Sequence, residues 1–371
     1  MNFYIKKIVP LIFCNFILYA NDFTSKYLEK KLQATDETKS LVPLAIIGGG
    51  SAGLAAGIYG GRANMHTVVF MGTHPGGQLV ETSIVENIPG VSRKTGEEIM
   101  DLTKQQAKEF GALLLDETIK KIEIETSDDD DKQIFVLTND ADEKIYALAI
   151  VIATGSSPRK LNVPGEDEYF GNGVSTCALC DCVLYKGQDV VIVGGGDDAV
   201  EKAMQVAPYA KNVTILVRSD RMRAAPKMCD KLSDYENVKI VYNKKVTEIV
   251  GDGDCVTGIR IIDILTLEED FMPVAGVFLA VGHNPNTGLY KDLIDISDDG
   301  YIILQSRSQQ TCTPGIYAAG DVADGQYRQA GTANGDGIKA ALDAVKYLRS
   351  KGFTEKVARE MRPRYYKGMV R

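Results

Sequence analysis

Two stretches of the chain carry the same order of apolar, glycine and helix-forming positions. The first runs from the apolar residues 41–47 through Gly48, Gly50 and Gly53 into an alanine-rich segment. The second reads DVVIVGGGDDAVEKAMQVA and begins at Asp189. A short apolar run bounded by glycines is typical of a strand that is buried on both faces. Each stretch therefore predicts a strand, a tight turn and a helix.

The segment between these stretches, and another one near the end, add further strands. Residues 122–140 read IEIETSDDDDKQIFVLTND, which predicts two alternating strands around an acidic loop, and residues 149–155 predict one more strand. Residues 315–325 repeat the strand-to-glycine layout and put Asp321 at the carboxyl end of a strand. Ligands bind at that end of the strands in an open α/β sheet.

Glycine turns of this kind are suited to phosphate groups. A turn without side chains lets the backbone approach a pyrophosphate, and the N–H groups at the helix start favour an anion. A single such turn can also exist without a ligand, but here two turns occur 146 residues apart in one chain. Two dinucleotides in one protein imply electron transfer between them, most simply from a nicotinamide to a flavin.

Composition narrows the class of protein. The chain has 371 residues, of which 44% are hydrophobic and 25% charged, so we expect a globular protein of about two domains. A net charge of -8 disfavours nucleic acid as a partner, because binding to phosphate backbones draws on Lys and Arg. Only three histidines are present, so a histidine-rich metal site is poorly supplied.

A cluster of three cysteines lies in residues 175–182, which read STCALCDC. The chain has seven cysteines in all, an odd count that does not fit a disulfide scaffold. The cluster is open to three interpretations: a zinc knuckle of Cys177, Cys180 and Cys182, a structural disulfide, or a working dithiol. In favour of the last, a C-x-x-C segment lowers a thiol pKa into the range where the nucleophilic thiolate is available.

The two ends of the chain carry separate signals. Lys6 and Lys7 precede an apolar run over residues 8–20, the layout of a secretory signal that is too short to span a bilayer comfortably. The segment is therefore open to two interpretations: a signal for export or membrane tethering, or a simple N-terminal extension. The tail from Lys351 is basic and is interpreted as a solvated helix end rather than a binding patch.

The motifs taken together resemble the low-molecular-weight thioredoxin reductases over about residues 44–348. Several short stretches carry the resemblance in the order in which that family has them: GGGSAG, GGRAN, GGQL, ENIPG, IATG, CALCD, GGGDDA, GHNPNT, AAGDV and YRQA. The resemblance implies an α/β fold of two Rossmann-like, three-layer ββα domains, with the NADPH domain inserted into the FAD domain. The expected divisions are an N-terminal extension over 1–42, FAD-binding parts over 43–159 and 288–350, an NADPH-binding domain with the redox C-x-x-C over 160–287, and a basic tail over 351–371.

The resemblance also implies which residues hold the two cofactors and implies no metal. The residues expected to bind FAD are Gly48, Gly50, Ser51, Ala52, Gly53, Gly77, Gln78, Leu79, Asn87, Ala153, Gly155, Gly320, Asp321, Arg328, Gln329 and Ala330. The residues expected to bind NADPH are Gly194, Gly196, Asp197, Asp198, Ala199, Arg218 and Arg223.

The same resemblance assigns roles within the cysteine cluster. Cys180 would face the flavin and take its electrons, and Cys177 would attack the disulfide of the protein substrate. Asp181 would protonate the leaving thiolate, a role that needs a raised pKa. The zinc alternative lacks an evident fourth ligand nearby in the sequence.

The chain departs from the family pattern at several positions. Leu179 and Cys182 replace a Thr and a Gly, and Cys182 adds a third thiol that can compete for the disulfide. Val217 and Ser219 stand where the family has cationic residues for the adenosine 2′-phosphate, so we expect a weaker preference for NADPH over NADH. Asp198 puts an anion beside the expected pyrophosphate, which is unfavourable.

The sequence thus predicts an FAD- and NADPH-dependent thioredoxin-disulfide reductase with a thioredoxin or thioredoxin-like partner. The resemblance further implies a homodimer and a cytoplasmic location, with export or tethering left open by the N-terminal segment. One alternative is a dithiol oxidase of the same fold that reduces oxygen. The other is a flavin- or zinc-binding scaffold without enzymatic activity.

Overall fold

A computed structural model describes residues 40–82, 84–126 and 133–354, together with residue 357. The signal-like segment, the acidic run of residues 128–131 and nearly all of the basic C-terminal tail lie outside the described residues. Within the described part, no helix combines the length and the apolar character that crossing a bilayer requires.

A strand, a glycine turn and a helix follow one another at both glycine-rich stretches, as their patterns predict. The strands are β1 (Ser40–Ile47), β2 (Thr67–Phe70), β3 (Leu113–Leu115), β4 (Ile119–Thr126), β5 (Gln133–Asn139), β6 (Lys144–Ile152), β7 (Ser156–Pro158), β8 (Val174–Ser175), β9 (Asp189–Val193), β10 (Asn212–Leu216), β11 (Val238–Val241), β12 (Lys244–Gly251), β13 (Val256–Asp263), β14 (Glu269–Pro273), β15 (Gly276–Leu279), β16 (His283–Pro285) and β17 (Ile316–Ala318). The α-helices are α1 (Ser51–Arg62), α2 (Gly96–Glu109), α3 (Ala178–Asp181), α4 (Asp197–Val206), α5 (Pro226–Asp230) and α6 (Ala330–Ser350).

The chain forms two compact units, the second inserted into the first. The first unit contains the described residues up to Leu79, then Ile99–Gly155, and then those from Pro285 onward. The second contains Val80–Glu98 and Ser156–Asn284. The α/β class with one domain inserted into another is confirmed. The two units meet in the sequence at 155/156 and 284/285. The boundaries expected between the FAD-binding and NADPH-binding domains, at 159/160 and 287/288, remain a prediction.

The first unit is built on a sheet in the order β3-β2-β1-β6-β5-β4, with β17 pairing with the end of β6. Strands β1, β2, β3, β6 and β17 are parallel, whereas β4 and β5 run antiparallel, as expected for the two alternating strands. Among the parallel strands, β1, β2, β6 and β17 are buried on both faces and their sequences are continuously apolar, whereas the edge strand β3 is half-buried. In β1, Ala45 and Ile47 pack in the core with Phe135 of β5, whereas Leu44 lies against Gly60 of α1.

The second unit repeats this plan. Its parallel sheet has the order β11-β10-β9-β15-β8, and a separate antiparallel sheet consists of β12, β13 and β14. Val190 and Ile192 of β9 belong to a core that also contains Val200 of α4. Val191 and Val193 belong to a second core that also contains Ile259 of β13. The parallel sheet is therefore the middle of three layers.

Close packing of α1 against α6 in the first unit depends on a glycine. A Cβ added to Gly337 of α6 would lie 2.0 Å from the Ala52 carbonyl oxygen of α1, whereas a Cβ on Gly335 would meet nothing within 4 Å. We expect Gly337→Ala to lower the free energy of unfolding by about 1–3 kcal/mol through overpacking. The matched Gly335→Ala should raise it by about 0.5–1 kcal/mol, because alanine favours the helix. Urea unfolding of both variants measures the difference, and equal effects would contradict this packing.

Candidate active site

The turn from β1 into α1 is shaped for close backbone contact. Gly48 has a φ of +119°, and a Cβ added there would lie 2.2 Å from the Ala153 carbonyl oxygen at the end of β6. A Cβ added to Gly53 would lie 1.8 Å from the Gly48 carbonyl oxygen. Only glycine therefore fits at either position. The first turn of α1 contains no acidic residue, so the N–H groups at its start can receive an anionic ligand.

Other residues predicted for the flavin lie beside this first cradle, which consists of residues 48–53. The Gly76 N–H donates to the Gly49 carbonyl oxygen at 3.0 Å, and this contact brings the loop with Gly77, Gln78 and Leu79 to the cradle. A Cβ added to Gly320 after β17 would lie 2.9 Å from Cβ of Ala52. The carboxyl ends of β1, β6 and β17 thus lie close together in one place around the first cradle.

Asp321 is a largely enclosed acid at that place. Desolvation by burial is the main cause that raises its pKa, to about 6; the Asp324 charge raises it further and the Arg328 charge lowers it. The Asp324 carboxylate accepts the backbone N–H groups of Tyr327 and Arg328 at 2.8 and 3.1 Å, which folds the loop before α6. Gln329 then caps α6 in a capping box with Thr332. A carboxyl with this pKa is mostly ionised at neutral pH, where it accepts hydrogen bonds from donors that approach it.

The turn from β9 into α4 forms a second cradle, residues 194–199, within the second unit. A Cβ added to Gly194 would lie 2.3 Å from the Ala280 carbonyl oxygen, whereas one on Gly196 would meet nothing within 4 Å. The Asp197 carboxylate accepts the Ala225 N–H at 2.7 Å, and the Gly195 carbonyl oxygen accepts the Arg223 N–H at 2.6 Å. The space above Gly196 is therefore open, and the loop after β10 is fastened to the cradle.

That loop carries the positive charge of the second cradle. Arg218 and Arg223 are both exposed on it, as is Arg221. Ser219, which stands at a position where a cation is expected, donates its hydroxyl to the Arg221 carbonyl oxygen at 2.9 Å. The loop therefore offers three guanidinium groups, one more than sequence reasoning counted.

The two cysteines of the C-x-x-C motif form a disulfide in the second unit, with their Cα atoms 5.3 Å apart. Cys177 is the N-cap of α3, and its Sγ accepts the Cys180 N–H at 3.2 Å. After reduction, a hydrogen bond of this kind stabilises a thiolate on Cys177. The Asn87 amide, in the same unit, donates to Cys180 Sγ at 3.7 Å.

Asp181 and Ser175 flank this disulfide. Burial raises the pKa of Asp181, and a hydrogen bond from the Ser175 hydroxyl lowers it to a smaller extent. Ser175 Oγ also accepts the Cys177 N–H at 3.0 Å, and its single proton serves either Asp181 or the Cys177 carbonyl oxygen at 3.3 Å. Ser175 therefore links the acid to the backbone of the nucleophilic cysteine.

The third thiol of the cluster is in a different environment. Cys182 is 4% exposed and packs in the core with Ala178, Tyr185 and Val190. Burial raises its pKa. In the described part of the chain, no group of three or more His, Cys, Asp or Glu is arranged to hold a metal ion.

Sequence reasoning missed three residues around these sites: Ser175, Lys202 and Arg221. Lys202 pairs with Asp198 at 2.8 Å, and the spacing of four residues on one helix was a signal that could have found it. Ser175 and Arg221 carried no comparable signal, because their contacts depend on how β8 and the loop after β10 are folded.

Comparison with known proteins identifies the family of the chain and several of its relatives. Residues 42–337 match the pyridine nucleotide-disulphide oxidoreductase family. The chain belongs to this family. A thioredoxin reductase from Mycolicibacterium smegmatis is 41% identical over 304 residues, which are 82% of this chain and 95% of that protein.

Two further members of the family extend the comparison. A bifunctional thioredoxin reductase/thioredoxin from Mycobacterium leprae is 39% identical and aligns with 82% of this chain and 65% of its own length. The solved structure of thioredoxin reductase from Giardia duodenalis has 38% identity and a TM-score of 0.77, covering 84% of this chain and 99% of its own. The Cys177–Cys180 pair at disulfide distance fits the dithiol centre of such reductases.

The burial of the cysteines predicts an order of alkylation. We expect iodoacetamide to label the exposed Cys255 and Cys312 first in the oxidised native protein. Cys182 should react much more slowly, because its thiol is buried and its pKa is raised. Cys177 and Cys180 should be labelled only after reduction. Peptide mass spectrometry over time measures this order, and labelling of Cys182 as fast as Cys255 would contradict it.

Proposed function

We propose that the chain is an NADPH-dependent thioredoxin-disulfide reductase with FAD as its bound cofactor. The observation that carries the proposal is the Cys177–Cys180 disulfide with the Cys180 N–H on Cys177 Sγ, in a chain with two nucleotide cradles. A dithiol with one hydrogen-bonded sulfur is suited to exchange with a disulfide of another protein.

The first cradle fits FAD and the second fits NADPH. Both have a glycine turn that a Cβ would fill, and the first adds the protonatable Asp321 beside Arg328. The second adds the arginine loop for a phosphorylated ribose. Bound FAD would accept a hydride from NADPH and would supply the electron pair that reduces the Cys177–Cys180 disulfide. Gln78, Gly155, Gln329 and Ala330 are further predicted contacts of FAD within the first unit. Asn87, also predicted from the sequence, belongs to the second unit and lies beside Cys180.

The residues of the second unit then carry out the exchange. The Cys177 thiolate attacks the disulfide of the substrate protein, breaking that S–S bond and forming a mixed disulfide. Asp181, whose pKa is raised by burial, gives its proton to the departing thiolate. The Cys180 thiolate then attacks Cys177 Sγ, which breaks the mixed disulfide and restores the Cys177–Cys180 disulfide. The second substrate sulfur leaves as a thiolate and takes its proton from water, so the substrate is released as a dithiol.

A thioredoxin-like protein is the proposed partner. The Mycobacterium leprae relative, whose name combines a thioredoxin reductase with a thioredoxin, supports this choice. The proposal further includes a homodimer and a cytoplasmic location, where NADPH is supplied.

Anaerobic stopped-flow spectroscopy tests the proposal. NADPH should bleach the flavin absorbance, and oxidised thioredoxin should restore it; absence of recovery would remove thioredoxin as the substrate. NADH run in parallel measures the nucleotide preference, which we expect to be modest because Ser219 and Val217 supply no charge. Peroxide formed from dithiols without NADPH would support a dithiol oxidase instead.

The two sulfurs should differ in their response to substitution. Cys180→Ser should keep the bound flavin and its reduction by NADPH but lose thioredoxin reduction, because no disulfide remains to accept electrons. Cys177→Ser should lose the same turnover for lack of a nucleophile. Cys312→Ser, far from the pair in sequence and exposed, is the control and should turn over normally. Turnover retained by Cys180→Ser would refute its assignment.

Ser175 sets the pH range in which Asp181 is an acid. Its hydroxyl lowers the pKa of Asp181, so Ser175→Ala should raise that pKa further. A general acid works in its protonated form, and the alkaline limb of kcat/KM for thioredoxin should therefore move to higher pH. Ser175→Thr keeps a hydroxyl and should keep the original profile. A uniform loss of rate at every pH in Ser175→Ala would mean a merely structural role.

A further inference from the structure

The two cradles of this chain differ in the charge of their first helical turn. In the first cradle, residues 50–53 read Gly-Ser-Ala-Gly, and α1 has no acid in its first turn. In the second, residues 196–199 read Gly-Asp-Asp-Ala, so α4 has two acids in the same place. A carboxylate at a helix N-terminus satisfies the N–H groups that a pyrophosphate needs, and it repels the phosphate charge. The second cradle must therefore keep its acids away from the ligand.

Each of the two acids is held by a group of the second unit. Asp197 accepts the Ala225 N–H at 2.7 Å, which fixes the loop after β10. Asp198 accepts Lys202 Nζ at 2.8 Å, one turn further along α4. The Asp198 carboxylate is thus paired with a cation that lies one turn after it on the same helix.

Lys202 is itself fixed in place. Its side chain is 7% exposed, whereas that of Asp198 is 27% exposed. Nζ also donates to the Leu279 carbonyl oxygen at 2.9 Å, at the end of β15. A buried ammonium held by the sheet and by a carboxylate has little freedom to leave, so the ion pair has one geometry. The equivalent position on α1 is Ala56, which is buried and carries no charge.

We propose that Lys202 is a positioning residue for the nucleotide, holding the Asp198 carboxylate in an ion pair so that the second cradle accepts an anionic pyrophosphate. The inference rests on the proposed binding of NADPH in the second cradle. It concerns affinity for the nucleotide rather than the dithiol chemistry. Without Lys202, the Asp198 carboxylate would be an uncompensated anion beside the ligand and a competitor for the helix N-terminus.

The test is a set of NADP⁺ dissociation constants, measured by isothermal titration calorimetry on the full chain with its flavin. Lys202→Met keeps the length of the side chain and removes its charge. It should weaken NADP⁺ binding about tenfold, a typical coupling for a close charge pair. The double variant D198A/K202M imitates the first cradle and should return the dissociation constant to within about threefold of the wild type. Lys104→Met, which breaks the ion pair with Asp101 on α2, is the control and should bind NADP⁺ normally.

The double variant separates positioning from simple structural support. It lacks the Lys202–Leu279 hydrogen bond just as the single variant does, so a purely structural loss would leave both variants equally weak. That result, or a single variant that binds NADP⁺ like the wild type, would overturn the inference while leaving the reductase function intact. A wild-type protein that binds neither NADP⁺ nor NADH would overturn the proposed function as well. Flavin absorbance and the thermal midpoint of each variant show that the fold is retained.

Discussion

Each of the two cradles depends on a close contact between a glycine and the carbonyl oxygen of the residue that follows a neighbouring parallel strand. Gly48 meets the Ala153 carbonyl oxygen after β6, and Gly194 meets the Ala280 carbonyl oxygen after β15. Any side chain at either glycine would push the turn away from the sheet. Because the turn stays close, each helix begins at the carboxyl edge of its sheet, where a helix N-terminus favours an anion. The same contact occurs twice and gives each unit a turn of the form that binds pyrophosphates in open α/β sheets.

The difference between the two sites lies in what surrounds this shared contact. Around the first, the turn after β1 has the carboxyl of Asp321 and the guanidinium of Arg328 nearby. Around the second, the acids of α4 are each held by a partner, and the cations lie on a separate loop after β10. The same kind of backbone turn is therefore surrounded by different charged side chains in the two units.

Sequence alone predicted the elements whose patterns are local. The continuous apolar runs of β1, β6 and β9 and the glycine turns after β1 and β9 follow from burial on both faces and from the need for bare backbone, so they could be read directly. The contacts of Ser175 could not, because one hydroxyl meets a backbone N–H and a carboxyl that lie together only after α3 has folded. Asp198 was predicted to be an unfavourable anion, and its spacing of four residues from Lys202 indicates an ion pair. The burial of Lys202 and its hydrogen bond to the Leu279 carbonyl oxygen depend on how α4 packs against β15, which leaves no local pattern. The division of the chain into two units was predicted, whereas the membership of Val80–Glu98 in the second unit depends on long-range contacts that leave no local pattern.

Burial acts on Asp181 and Asp321 in the same direction, yet their surroundings differ. Asp181 has a neutral hydroxyl as its partner, whereas Asp321 lies between an acid and an arginine. For Asp321, the pKa rises from 3.8 to about 6 on folding, so the folded state binds the proton more tightly. The stability that this carboxyl contributes is complete below pH 3.8 and is lost as the pH rises through about 6. At neutral pH the ionised group is therefore buried at a cost that hydrogen bonds from a ligand would offset, since donors to a carboxylate favour its charged form. A ligand with hydroxyl donors at this edge of the sheet would therefore stabilise the ionised form of Asp321.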